Sequence, residues 1–356
     1  AVSGIADRLI ELVKAFFGRV PGSLGVAALG GSTLIGTICG SSAAAVAAVG
    51  RNMYPRLLQG GYGVSRSAGL ITSAGAIDII IPPSIAMILY GIAAEQSIPK
   101  LFIAGIIPGF LIAVIMAVYI SVTAWIKGLP IEENFKIRHA IRALYRSLAA
   151  LSMPVLVLSG IYTGAFSPTE AGGFACAYAM FLGIVVYRNL TPFSILKAAI
   201  SAALTTAQIM ILVAAASVIA WILTIEGIPQ ALISVTMDLS LSAIEFLLMV
   251  NVLLLLIGCF LDPTSAILVL APLLVPIAIS LGIDPIHFGI IMTVNLAIGM
   301  FTPPFGLNIF VAQSVLGVSA ADIYRGVLPF VVVQVLALAI ITLMPELSLW
   351  LVETMS

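Results

Sequence analysis

Apolar runs of roughly twenty to thirty residues recur along this chain, each closed by a short cluster of charge, glycine or proline, and that pattern predicts membrane-spanning helices. The first element is of another kind. In residues 5–17, Ile5, Leu9, Ile10, Val13, Phe16 and Phe17 share one helical face against Asp7, Arg8, Glu11 and Lys14, which predicts a helix lying in the membrane interface. No charge occurs from Val20 to Gly50, yet Gly40-Ser41-Ser42 interrupts the run. Residues 20–60 therefore read as two half-spans meeting at a polar tip, a re-entrant hairpin. A span broken at Ile81-Pro82-Pro83-Ser84 follows at 67–94, and a plain span at 101–126. The loop 127–146 carries Lys127, Lys136, Arg138, Arg142 and Arg146 against Glu132 and Glu133, which assigns it to the cytoplasm. Scaffold spans occupy 147–225, with breaks near 167–171 and 187–198, and an interfacial stretch covers 226–239. A second hairpin is expected at 241–280 around Asp262-Pro263-Thr264-Ser265, a second broken span at 285–315 and a final span at 326–345.

The two interrupted regions repeat each other at a constant offset of 221 residues: Gly61, Pro82 and Pro83 recur as Gly282, Pro303 and Pro304. Thr72 maps onto Thr293, Ala76 onto Ala297 and Pro55 onto Pro276. Reading 241–280 as a hairpin leaves an even number of crossings between the broken spans, so the second runs opposite to the first and the repeat is inverted. The expected organisation is a first repeat at 1–126, the loop 127–146 and a second repeat at 147–356. Ser147, where the second repeat opens, has its counterpart about 75 residues ahead of Ala1, so the first repeat's scaffold helices are expected to precede this sequence.

Composition sharpens the class. The chain is 62% hydrophobic and 8% charged with zero formal net charge, which excludes a nucleic-acid-binding surface. Cys39, Cys176 and Cys259 stand inside apolar runs, where cysteine acts as a small hydrophobe. The fold class is an all-α polytopic membrane protein with inverted repeats, two re-entrant hairpins and two broken helices.

Chemistry concentrates at the interruptions. A proline inside a helix removes a donor and frees a carbonyl one turn back, which lipid does not tolerate unless protein, water or an ion takes it. Carbonyl and hydroxyl oxygens suit Na⁺, and there is no His/Cys cluster for a softer metal. One cation is expected at each break: the first on Ser41, Ser42 and the Asp78–Pro83 backbone, the second on Thr264 and Ser265 with Gly299–Pro304. Asp78 and Asp262 are intramembrane carboxylates, functional by default; Asp262 either coordinates a cation or caps the half-helix at Thr264. A substrate carboxylate would meet the half-helix N-termini at Ser41, Ser42 and Ala43 and at Thr264, Ser265 and Ala266, with Ser84 and Asn308 beside them. Asn295, Asn308 and Thr302 either line a polar cavity or bond between helices. His287 reads as an interfacial residue or a proton relay, and Glu170 as a helix cap behind Ser167.

Seven strings resemble the large membrane subunit of TRAP transporters, the tripartite ATP-independent periplasmic systems. They are CGSSAAAVAAVG, IIIPPSIAMILYG, LFIAGIIPGFL, SGIYTGAFSPTEAG, FLDPTSAILVLAPLLVPIA, GIDPIHFGII and GMFTPPFGLNIFVAQ, in order over nearly the whole chain. The resemblance implies an elevator-type secondary transporter in the bacterial inner membrane, driven by two or more Na⁺ ions. It implies an organic acid as substrate, handed over by a periplasmic substrate-binding protein, and a small transmembrane subunit in the bilayer. By the same resemblance the first Na⁺ site takes Ser41 and Ser42 with backbone at Asp78, Ile81 and Pro83. The second takes Thr264 and Ser265 with Gly299, Thr302 and Pro304. Two departures stand out: family members commonly carry Gly where Asp78 stands, and the family's acid at the first hairpin is Ala45 here.

Other classes are weighed against this. A stand-alone Na⁺- or H⁺-coupled carboxylate carrier or ion antiporter of the same build would need no binding protein. An intramembrane enzyme would use Ser41 or Ser42 with His139 or His287 as base, residues far apart in the chain, so the expectation is that the protein is not an enzyme. A channel conflicts with two closed hairpins.

Overall fold

Small polar residues and prolines set where the helices begin. Ser84, Ser97, Ser167, Thr191, Ser242 and Ser319 cap helices with their hydroxyls, and Pro168, Pro192, Pro263 and Pro285 stand at first helical positions, where the missing N–H costs nothing. The computed structural model describes residues 5–129, 137–188 and 190–355, and among them every regular element is a helix. The first half contains α1 (Ile5–Phe17), α2 (Ser23–Cys39), α3 (Ser42–Gln59), α4 (Val64–Ala74), a 3₁₀ turn (Gly75–Ile79), α5 (Ile85–Ala93) and α6 (Ile98–Ile126). Next come α7 (Ile137–Tyr162), α8 (Pro168–Phe181) with a π turn (Leu182–Val186), α9 (Pro192–Ile225) and α10 (Ile228–Asp238). The chain closes with α11 (Ala243–Gly258), α12 (Pro263–Ser280), α13 (Pro285–Gly299), α14 (Leu307–Leu316), α15 (Ala320–Leu343) and α16 (Glu346–Met355). Among the described residues five segments are long and apolar enough to cross a bilayer: α6, α8 with its π turn, α9, α12 and α15. At 1.5 Å per residue, α9 is about 50 Å long against a hydrocarbon core of about 30 Å.

The packing crosses between the two halves. The second arm of each hairpin takes the far half of the other broken segment, so that α3 packs on α14 and α12 on α5. The near halves cross the plain spans of the opposite half, α4 on α15 and α13 on α6. At the α4–α15 crossing Gly69 and Gly326 meet backbone to backbone, with no room for a Cβ on either. Residues in the 221-residue register behave alike. Thr72 and Thr293 are both fully buried and donate to the carbonyl four residues back, Ala68 at 2.6 Å and Gly289 at 2.8 Å. Gly61 and Gly282 both turn through positive φ, 80° and 75°, and both Pro-Pro bonds are cis.

Three expectations change. Residues 127–146 are not wholly a loop, because Ile137 to Arg146 already belongs to α7; the charges at Arg142 and Arg146 hid that turn from a hydropathy reading. Glu132, Glu133 and Lys136 lie outside the described residues. The apolar face of α1 does not all face lipid: Leu9, Ile10 and Val13 are buried against α2, where Gly30 and Gly31 leave space for them, and Phe16 and Phe17 alone stay exposed among the described side chains of that face. A short helix, α16, follows the final span and packs on α6, an element that the apolar pattern did not announce.

Candidate functional site

The first hairpin tip is Gly40-Ser41, between α2 and α3. Gly40 ends α2 in the left-handed region, φ 59°, which brings Ser41 round to cap α3. The cap is loose, Ala44 N to Ser41 Oγ at 3.5 Å, and the N–H groups of Ser42 and Ala43 donate to nothing among the described residues. Beside the tip lies the first break. A Cβ placed on Gly40 would stand 3.7 Å from the Pro83 carbonyl oxygen. Ile77 O accepts from both Ile80 N and Ile81 N, while among the described residues no hydrogen bond reaches the carbonyls of Ile81, Pro82 or Pro83. The tip and the break thus approach each other at Gly40 and Pro83, the tip carrying free amides and the break free carbonyls.

Asp78 sits in the 3₁₀ turn just before this break, 0% exposed, with neither carboxyl oxygen hydrogen-bonded. It packs on Gly36 of α2, where a Cβ would fall inside the carboxyl group, and the Ser32 hydroxyl stands beside it outside hydrogen-bond geometry. Ser42, also buried, has its Oγ 2.7 Å from Asn308 Nδ2 of α14. That same nitrogen donates to the Thr72 carbonyl at 3.2 Å, and the Ser73 carbonyl accepts from Gln334 Nε2 of α15 at 3.4 Å. Asn308, expected beside the substrate, is 0% exposed and both hydrogens of its amide are engaged by Ser42 and Thr72. Ser84, expected there too, is 1% exposed, donates to Ile79 O and caps α5 through Met87 N.

The second tip is built differently. Asp262 caps α12, accepting from Thr264 N at 2.9 Å, Ser265 N at 3.3 Å and Ser265 Oγ at 2.6 Å. Of its two open roles the cap is the one formed, and its carboxylate already occupies the N–H groups that a substrate anion was expected to meet. At the second break Gly299 O accepts from Thr302 N, Met300 O from Asn308 N, and Pro304 O from Tyr324 Oη at 2.8 Å. The Thr302 hydroxyl bonds Ile298 O. Gly299 lies flat on Gly258 of α11, an approach that only two glycines permit. A cavity of about 420 Å³ opens here between Gly258, Asp262, Phe260, Phe305, Leu307 and Phe310, lined mainly by aromatic and aliphatic side chains.

Other singled-out residues fall into structural contacts. Asn295 donates to Asn251 Oδ1 at 2.7 Å, and Asn251 to Thr342 at 2.9 Å, a chain through α13, α11 and α15. Glu170 completes a capping box with Ser167. His287 is buried at the start of α13, with no hydrogen bond to either ring nitrogen among the described residues. Sequence reasoning missed Gln334 and Tyr324, whose partners lie across the fold.

The described geometry meets the family evidence at this point. Residues 1–347 match the model of the "Tripartite ATP-independent periplasmic transporter, DctM component". The chain belongs to the DctM family of TRAP transporters. It is 41% identical over 97% of its length, and 81% of the relative's, to the C4-dicarboxylate TRAP transporter large permease protein DctM of Pseudomonas aeruginosa. It is 40% identical, with the same two coverages, to the ectoine large permease TeaC of Halomonas elongata. With the isethionate permease DctMQ of Oleidesulfovibrio alaskensis the identity is 38% over 98% of this chain and 55% of that one. This DctM-family chain is accordingly a multi-pass component of a membrane transport system, which points away from an enzyme.

Proposed function

We propose that this chain is the large transmembrane subunit of a Na⁺-coupled importer of an organic carboxylate. It works in the bacterial inner membrane with a small transmembrane subunit and takes its cargo from a periplasmic binding protein. Relatives named for C4-dicarboxylates, isethionate and ectoine favour a small organic acid. The observation that carries the reading is the approach of the first tip to the first break at Gly40 and Pro83, the tip holding the free amides of Ser42 and Ala43 and the break the carbonyls of Ile81 to Pro83, unbonded among the described residues. Free N–H groups at a helix start favour an anion, and free carbonyls in a low-dielectric setting favour a cation. A site that offers both gains most when both arrive together, which is the physical root of symport.

The first cation is assigned to Ser41, Ser42 and the carbonyls from Asp78 to Pro83. The second is assigned to Thr264 and Thr302 with the remaining lone pairs of Gly299, Pro304 and the Asp262–Ser265 cap. The hairpins and broken helices, interlocked as α3 on α14 and α5 on α12, form the body that moves in an elevator step. α7 to α9 form the frame.

Proteoliposomes holding the assembled complex test this with a panel of radiolabelled organic acids. Uptake is expected only with an inward Na⁺ gradient and the binding protein. Equal uptake in choline would overturn Na⁺ coupling, and uptake without the binding protein would favour a stand-alone carrier. Ser42→Ala and Thr264→Ala should each raise the half-saturating Na⁺ concentration by about threefold to tenfold.

A further inference from the structure

We infer that Asn308 is a positioning residue through which the second half of the chain sets the cation affinity of the first, an inference that rests on the Na⁺ reading of the first tip. The ladder of α4 changes from α to 3₁₀ at Gly75, and such a change displaces the N–H groups that would have bonded the last carbonyls of the helix. Two of those carbonyls, Thr72 and Ser73, receive side-chain amides, and both amides come from the far half: Asn308 on α14 and Gln334 on α15. Asn308 also holds the Ser42 hydroxyl at 2.7 Å. One buried amide thus pins together the first hairpin's α3, the end of α4 and the turn after the second break.

The arrangement is one-sided. Among the described residues no side chain of the first half donates into the second break; Tyr90, the long-range donor from α5, bonds Pro285 O at the start of α13, well before it. The donor on Pro304 O, Tyr324, belongs to the second half itself. Asn308 Oδ1 is buried with no partner, so the contacts this side chain makes are those of its nitrogen. The Ser42 hydroxyl also lies against the first break's 3₁₀ turn, 3.5 Å from where a Cβ on Gly75 would stand. Movement of the second break then shifts a ligand of the first cation.

The test needs no substrate. The purified complex is melted across a Na⁺ series at constant ionic strength with choline chloride as replacement, and the half-saturating Na⁺ concentration is read from the rise in melting temperature. Asn308→Leu, branched at the same carbon and without a donor, should raise that concentration roughly fivefold, as is expected of Ser42→Ala, and the double variant should be no worse than either single. A purely structural loss would lower the melting temperature equally in both salts and leave the Na⁺ midpoint in place, and that result overturns the inference. Additive single effects overturn it too. A wild-type complex with no Na⁺-specific stabilisation would remove the cation reading itself, a different failure. Asn308→Ala, which removes the donor and adds neither bulk nor charge, carries the same expectation should the Leu variant not assemble.

Discussion

The two interrupted regions share a register and differ in how their polar groups are spent. In the first, the tip's amides and the break's carbonyls stay open, a carboxylate is buried without a partner, and the repair of the α4 end comes from the other half. In the second, the tip is closed by its own Asp262, the break is bonded by its own Tyr324, and the place of Asp78 is taken by Gly299, pressed on Gly258. The N-caps are Ser41 and Asp262, equivalent residues 221 apart. A single exchange of hydroxyl for carboxylate changes a tip that invites an anion into one that has supplied its own. The register is common to both regions, and point differences between them leave their polar groups unequally spent.

The largest effects should come from the glycine contacts. Gly36→Ala and Gly299→Ala should each destabilise the protein by about 3 kcal/mol or prevent assembly, as forced overpacking does, measured by thermal melting in detergent. The two should separate on rescue. Asp78→Gly should restore Gly36→Ala, whose obstacle is a side chain, whereas Gly299→Ala meets the Gly258 backbone and should resist rescue; a Gly36→Ala variant unmoved by Asp78→Gly would break the contrast. Next come the caps. Asp262→Ala should cost about 1–2 kcal/mol and speed amide exchange at Thr264 and Ser265, while Ser41→Ala, losing a 3.5 Å contact, should cost roughly 0.5 kcal/mol or less. Equal costs would mean that the first tip is as closed as the second. Between the two caps falls Tyr324→Phe, about 1 kcal/mol for one lost hydrogen bond, with a lowered Na⁺ requirement as Pro304 O is released. Ile103 stands at the equivalent position in the first half and has no hydroxyl to remove.

Much of this was legible in the residues because its causes are local. Pro82-Pro83 and Pro303-Pro304 cannot continue a helix, Gly40 supports a left-handed turn, and Ser167 with Glu170 writes its own capping box. Less legible were elements whose charge and apolar faces are balanced, such as the start of α7, and the packing partner of α1. Asn308 shows the limit most clearly. Its motif, GMFTPPFGLNIFVAQ, puts it just past the second break, where a polar side chain reads as a substrate ligand; its actual partners, Ser42 and Thr72, are 266 and 236 residues away.

By itself the order of residues determined a helical membrane protein with two interrupted regions in one register, and it named the family, because hydropathy, proline and glycine act within a few residues along the chain. Which carbonyls remain open, which amides are already taken, and that α14 seats on α3 and α5 on α12, only the tertiary structure decided. A hydrogen bond between distant segments depends on how whole helices pack, and no local rule of sequence carries that information.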